Sequence, residues 1–213
     1  MIPKLHYITQ GDSPKEQLEN IQRACSSGAE LVQLRFRNVS DKKLLNLAKE
    51  AREITAHFQT RLLINDHYKI AKEVKADGVH LEKIDSCPTI VRKHVYTWQM
   101  IGGTANTLQD CEKLLNKEVD YIGLGPFRFT TTKDNLPPIL GVNGYRAIID
   151  ELNTETPIIG VGGITTADVT AILETGVSGI AASGEITRNF NTIKTFHQLL
   201  KASSTEEQRY TFK

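Results

Sequence analysis

Residues 157–164 read PIIGVGGI and residues 179–186 read GIAASGEI. Each is a short apolar run that breaks into glycine, too short and too continuously apolar for a strand with one face in water. The same unit recurs toward the N-terminus as KLHYIT (4–9), LVQLRF (31–36), RLLIND (61–66), GVHLE (78–82), TWQMIGGT (97–104) and YIGLGP (121–126). Longer amphipathic segments separate these runs at intervals of roughly 20 to 30 residues, the βα rhythm of a parallel sheet. Eight such units in about 200 residues fit the lower end of the closed barrel, with an open doubly wound sheet as the competing arrangement. The two opening stretches weigh the choice toward closure. In a barrel the loops after strands 7 and 8 commonly build a phosphate site, and here those strands end in Gly160-Val161-Gly162-Gly163 and Ser183-Gly184. Glycine lets backbone N–H groups approach an anion more closely than a β-branched residue would. The expected fold is α/β, a single (β/α)8 TIM barrel.

The intervening helices have readable ends. Ser13-Pro14-Lys15-Glu16 predicts a capping box with proline at the first helical position, and Gly28 the stop. Ser40 opens the next helix, whose Leu44, Leu45, Leu47, Ala48, Ala51 and Ile54 form one apolar stripe; Thr166 and Gly176 bracket a later one. No Pro/Gly/Ser-rich linker, charge block or low-complexity tract interrupts the rhythm, so residues 1–213 are expected to form one domain, with the tail from about residue 203 peripheral.

Charge narrows the partners. Twenty-six Lys+Arg against 25 Asp+Glu leave a net charge of +1, which argues against the basic surface of a nucleic-acid binder and leaves small anions. Cys25, Cys87 and Cys111 are scattered, with no CxxC pair and no neighbouring histidine at metal-ligand spacing, so structural thiols in a reducing compartment are expected. The start MIPKLHYITQ has no apolar core of a signal peptide, and no window approaches the roughly 18 apolar residues of a membrane span. A soluble, cytoplasmic protein with no membrane partner is the expectation; the oligomeric state is left open, a homo-oligomer included.

In a barrel, chemistry gathers where strands meet the following helices, and those positions are unusually polar. Strand 2 gives Gln33, Arg35 and Arg37, alternate residues that a period of two places on one side. Strand 3 ends in Asn65-Asp66, and strand 4 supplies His80 with Asp85 beyond it. Strand 5 supplies Thr104 and Asn106, and strand 6 runs into Thr130, Thr131, Thr132 and Lys133. A strand-end Asn-Asp pair is often a helix cap, and His80 reads equally well as a satisfied core histidine. Two guanidiniums aimed into a barrel call for carboxylates or phosphates to meet them, because unpaired buried charge is costly. The hydroxyls, ammonium and arginines on one side and the glycine turns on the other suggest two anionic groups. Asp66 and Asp85, from adjacent strand ends, suit Mg²⁺, which takes one or two carboxylates and completes its shell with water and phosphate oxygens. A magnesium diphosphate plus a separate monophosphate is the expected pair.

In chain order, QLRFR (33–37), IND (64–66), DGVHLEKID (77–85), DYIGLGPFRFTTTK (120–133), GVGGI (160–164) and SGEI (183–186) resemble the thiamine phosphate synthase family along nearly the whole chain. The GP…TxTK segment is the most specific element. The resemblance implies an Mg²⁺-dependent (β/α)8 transferase that joins an aminopyrimidine methyl diphosphate to a thiazole phosphate and releases diphosphate. It makes Gln33 a pyrimidine contact, has Arg35, Arg37, Asn65 and Lys133 grip the diphosphate, and gives Asp66 and Asp85 the metal. Thr104 takes a position usually held by serine, close to the pyrimidine and the leaving group. Thr130 and Thr132 seat the thiazole phosphate together with the backbone at Gly163, Ser183 and Gly184. The implied chemistry is dissociative: diphosphate departs, the pyrimidine stabilises a methylene cation, and the thiazole nitrogen captures it. The catalytic group is then Arg35, Arg37, Thr104 and Lys133. This chain departs from the family pattern in having Arg37 where lysine is common, Glu82-Lys83-Ile84-Asp85 where GQED is common, and Asn106 where a histidine stands. The related thiazole tautomerases resemble it less, since they tend to lose the Asn-Asp pair and TxTK. A non-catalytic binder of thiazole phosphate or thiamine phosphate is the remaining alternative, and retention of both aspartates argues against it.

Overall fold

The computed structural model describes residues 2–83, 85–130 and 137–210, with side chains through residue 201. Eight parallel strands, β1 (Leu5–Ile8), β2 (Leu31–Leu34), β3 (Arg61–Asn65), β4 (Gly78–Leu81), β5 (Met100–Ala105), β6 (Tyr121–Leu124), β7 (Ile158–Val161) and β8 (Gly179–Ala182), follow one another around a closed barrel. Closure is made by β8 pairing with β1, with Leu5 opposite Ile180 and Tyr7 opposite Ala182. The expected (β/α)8 fold is the one observed, and the open sheet is excluded.

The helices wrap the outside: α1 (Pro14–Ser26), α2 (Asp41–His57), α3 (Tyr68–Glu73), α4 (Pro88–Arg92), α5 (Leu108–Leu115), α6 (Gly141–Leu152), α7 (Val169–Leu173), a short α8 (Gly184–Arg188) and α9 (Thr192–Tyr210). Their ends follow local chemistry. Ser13 Oγ accepts from Glu16 N, while the Glu16 carboxylate accepts from Asp12 N, so the second half of the anticipated box sits one residue earlier. Ser40 caps α2, and its stripe of Leu44, Leu47, Ala48 and Ala51 is buried. Thr165, one residue before the expected Thr166, forms a capping box with Asp168. Gly28 and Gly176 follow their helices at φ +92° and +88°, a conformation that costs other residues more.

Apolar packing forms two shells. Outward-facing strand residues meet the helices in the larger cluster; Leu31, Leu63, Tyr121, Ile159 and Ala181 fill the barrel itself. Among the described residues no helix is long and apolar enough to cross a membrane.

The strands are shorter than their sequence runs, mostly at their C-terminal ends. β2 stops at Leu34, β4 at Leu81, β6 at Leu124 and β8 at Ala182. The residues beyond shape the mouth of the barrel; those after β6 still bond to its neighbours, Gly125 N to the Ala105 carbonyl at 3.1 Å and Phe127 N to the Val161 carbonyl at 2.8 Å, and those after β8 turn at once into α8.

Candidate active site

Alternation within the strands builds the mouth. Inward positions begin apolar at the bottom, with Leu31, Leu63 and Ile159, and on β2 and β3 become polar two residues on, at Gln33 and Asn65. They open into a cavity of about 550 Å³ lined by Gln33, Arg35, Asn65, Thr104, Thr130, Gly163, Ser183 and Gly184, together with His6, His80, Glu82, Asn106, Tyr121 and Arg128. Eight of the residues singled out from sequence therefore meet in one cavity. Arg37, Asp66 and Asp85 stand outside the lining, each bonded to a residue that lines it: Arg37 and Asp85 to Glu82, and Asp66 to Asn65. Thr132 and Lys133 lie outside the described residues.

On one side of the mouth the arginines meet a carboxylate. Glu82 Oε1 lies 3.7 Å from Arg35 Nε and also pairs with Arg37 Nη2. The expectation that both guanidiniums point into the barrel holds only for Arg35. β2 has ended at Leu34, so the period of two lapses, and the Arg37 side chain is 39% exposed against 15% for Arg35. Burial lowers the pKa of Arg35, helped by the charge of Arg37 and opposed by Glu82 and Asp66.

Asp66 is not a helix cap. His67 holds the N-cap position of α3 and makes no side-chain cap bond. Asp66 instead adopts φ +67° and hydrogen-bonds through its N–H to the His80 carbonyl at 2.9 Å. Its carboxyl is pushed up to about 7, first by burial, then by a hydrogen bond with the Asp85 carboxyl and by the charges of Asp85 and Glu82, with Arg37 opposing. Burial and a second carboxyl group this close both favour the protonated form of Asp66. A hard divalent cation would take the proton's place, and an all-oxygen pair suits Mg²⁺. No set of three or more His, Cys, Asp or Glu able to hold a metal occurs among the described residues, so the fit rests on this pair.

Between the arginines and the glycine turns runs a polar network. Gln33 Nε2 donates to Asn65 Oδ1, and Asn65 Nδ2 donates to Asp66 Oδ1 at 3.3 Å. His80 bridges Tyr121 and Thr104, with Nδ1 2.8 Å from the Tyr121 hydroxyl and Nε2 2.9 Å from Thr104 Oγ1. Burial raises the Tyr121 pKa far above its ordinary value, so the phenol keeps its proton. A Cβ at Gly102 would overlap the Tyr121 ring, which explains glycine at that inward position of β5.

On the opposite side, Gly162 and Gly163 have φ of +99° and +68°. A Cβ on Gly163 would come within 2.8 Å of the Phe129 carbonyl oxygen, so the turn after β7 packs directly on the segment after β6. Arg128 fastens the two, donating from Nη1 and Nη2 to Asp168 at 3.0 and 2.6 Å and from Nη1 to the Gly163 carbonyl at 3.3 Å. Ser183 Oγ donates to the Ile8 carbonyl at 2.8 Å and fixes the start of α8 against β1.

Known proteins resemble this chain. A family model described as thiamine monophosphate synthase matches residues 5–186. The chain belongs to that family. A thiamine-phosphate synthase of Flavobacterium johnsoniae is 41% identical over 196 residues, covering 89% of this chain and 91% of that one. One of Bacteroides thetaiotaomicron is 40% identical over 187 residues, covering 86% and 90%. A solved structure of thiamine phosphate pyrophosphorylase from Pyrococcus furiosus matches with a TM-score of 0.79 at 23% identity over 93% of this chain and 96% of that one, a likeness of fold.

Three further residues lining the cavity carry weaker signals, or none, in the sequence. His80 was left outside the catalytic set, although its place on the inward face of β4, one turn of the pleat below the mouth, was visible. Glu82 registered only as a departure in the fourth loop, and its pairing with two arginines depends on a loop conformation that no local pattern encodes. Arg128 carries no signal at all: its partner Asp168 lies 40 residues away.

Proposed function

We propose that this chain is a thiamine phosphate synthase, condensing 4-amino-2-methyl-5-hydroxymethylpyrimidine diphosphate with thiazole phosphate to give thiamine phosphate and diphosphate. The observation that carries the reading is one mouth with two unlike anion environments: paired arginines beside two aspartates on one side, and the positive-φ Gly162-Gly163 turn on the other.

In this reading Arg35, Arg37 and Asn65 take the diphosphate, together with Lys133, which follows β6 in the sequence. Asp66 and Asp85 would hold Mg²⁺, whose contribution when bound is to neutralise charge on the diphosphate oxygens. Gln33 and Thr104 face the pyrimidine. Backbone groups at Gly163, Ser183 and Gly184, with Thr130 and Thr132, seat the monophosphate of the thiazole. C–O cleavage leaves the electron pair on the departing diphosphate and a cation on the pyrimidine methylene; the thiazole nitrogen lone pair forms the new C–N bond. No proton need move in that exchange, so the residues act through position and charge. His80 serves as a positioning residue for Thr104.

The test is thiamine phosphate formation from the two purified substrates, with and without Mg²⁺. Product only when both substrates and the metal are present supports the reading. Isomerisation of the thiazole alone would point to a tautomerase, and tight binding of thiazole phosphate without turnover to a non-catalytic binder.

A further inference from the structure

Where the family pattern that this chain resembles commonly has glycine, this chain carries Glu82, whose carboxylate stands where two guanidiniums converge. Its side chain is only 11% exposed, and it lines the cavity. Its backbone is held independently: Glu82 N donates to the Asp85 carboxylate, and Asp85 N donates to the Glu82 carbonyl at 3.1 Å. The carboxylate can therefore change partners by side-chain rotation alone.

We propose that Glu82 is a positioning residue that competes with the diphosphate from within the chain: it holds Arg35 and Arg37 in place while the site is empty, yields them to the diphosphate, and takes them back as diphosphate leaves. This rests on the reading that those arginines bind the diphosphate. Two cations side by side with one partly buried need an anion, and Arg35 already has its pKa lowered by burial and by Arg37. Without the ligand, Glu82 meets that need directly, with the charge of Asp66 adding to it at Arg35. A diphosphate brings more charge and more oxygens and displaces it. The cost of displacement appears as weaker net binding, which for a released product means faster departure.

Calorimetric titration with inorganic diphosphate in Mg²⁺ buffer tests this on Glu82→Gln and Glu82→Gly, the second supplying the residue common in the family should the first fold poorly. Both variants are expected to bind inorganic diphosphate about tenfold more tightly than the unaltered protein, about 1.4 kcal/mol, with slower dissociation in stopped-flow. A merely structural Glu82 would give unchanged or weaker binding in both variants, and that result overturns the proposal. Arg37→Ala, titrated alongside, separates the two levels of inference. If it leaves diphosphate affinity unchanged, the assignment of the arginines fails. If it weakens affinity while neither Glu82 variant tightens it, only the competition fails.

Discussion

Gly163→Ala and Gly184→Ala place one methyl group on each of two glycines at the mouth, and the structure assigns them opposite consequences. Gly163 sits at φ +68°, where an added Cβ is strained whatever the space, and that Cβ would stand 2.8 Å from Phe129 O, 3.1 Å from Arg128 Cβ and 3.2 Å from Arg128 O. The left-handed conformation costs an alanine about 1 kcal/mol, and forcing a methyl against backbone adds about 1–3 kcal/mol. The sum, about 2–4 kcal/mol, corresponds to a loss of roughly 5–15 °C in Tm for a chain of this size. If the turn relieves the clash by moving, it carries the Arg128 fastening with it, and the KM for thiazole phosphate should rise about tenfold or more, since 1.4 kcal/mol of lost binding is tenfold. Gly184 lacks the positive φ, and its nearest neighbour is the far end of the Arg188 side chain at 3.2 Å. Alanine there should shift stability by no more than about 0.5 kcal/mol. Thermal melts and steady-state kinetics on both variants decide the case. Wild-type melting and KM in Gly163→Ala would refute the strain argument; equal damage in Gly184→Ala would place the requirement in ligand approach rather than in the turn.

Three further outcomes follow from the same geometry. Asp66→Ala and Asp85→Ala should each lower turnover by about a hundredfold or more and abolish its response to Mg²⁺, a typical scale for losing an electrostatic contributor; full activity in Asp85→Ala would remove that residue from the site. Because the Asp66 carboxyl is raised from 3.8 to about 7 on folding, the folded state binds more protons than the unfolded state between those values, so without metal the stability contributed by this group is present at low pH and is lost as pH rises through about 7. Melting curves across that window should show the decline, and Asp66→Asn or added Mg²⁺ should remove it. Tyr145→Phe deletes a hydroxyl that donates to the Leu124 carbonyl at 2.7 Å and accepts from Val161 N at 3.0 Å, removing the partner of a partly buried N–H at a cost of about 1–3 kcal/mol by denaturant titration.

The barrel was legible because its information is local and repeated. Each strand is an apolar run bounded by turn residues, and eight repetitions leave few topologies that bury them all. Strand ends were less legible, since an apolar residue beyond the last ladder bond looks the same as one within it: Phe36 belongs to the run LVQLRF, yet β2 ends at Leu34. The N-terminal end of β5 was overrun for a related reason. Thr97, Trp98 and Gln99 read as strand by composition, but the Gln99 side chain accepts from Tyr96 N and donates to the carbonyls of Ala71 and Ala76, an arrangement that holds a turn in place.

For the site, the period of two carried the argument as far as the ladder extends. Gln33, Arg35, Asn65, His80 and Thr104 fall on inward positions of their strands or of the first residue beyond, and all line the cavity. What alternation cannot encode is pairing across loops. The two guanidiniums called for carboxylates or phosphates, and the family resemblance placed a diphosphate there; the structure places the carboxylate of Glu82. Both anions satisfy the same physical demand, that a guanidinium pair near a barrel mouth be compensated. They differ in consequence, because a carboxylate supplied by the chain makes the empty site stable at the expense of the ligand, whereas a glycine leaves the charge for the ligand to meet. The chemistry of the residues thus set the need for an anion, and only the path of the fourth loop showed that the protein brings one of its own.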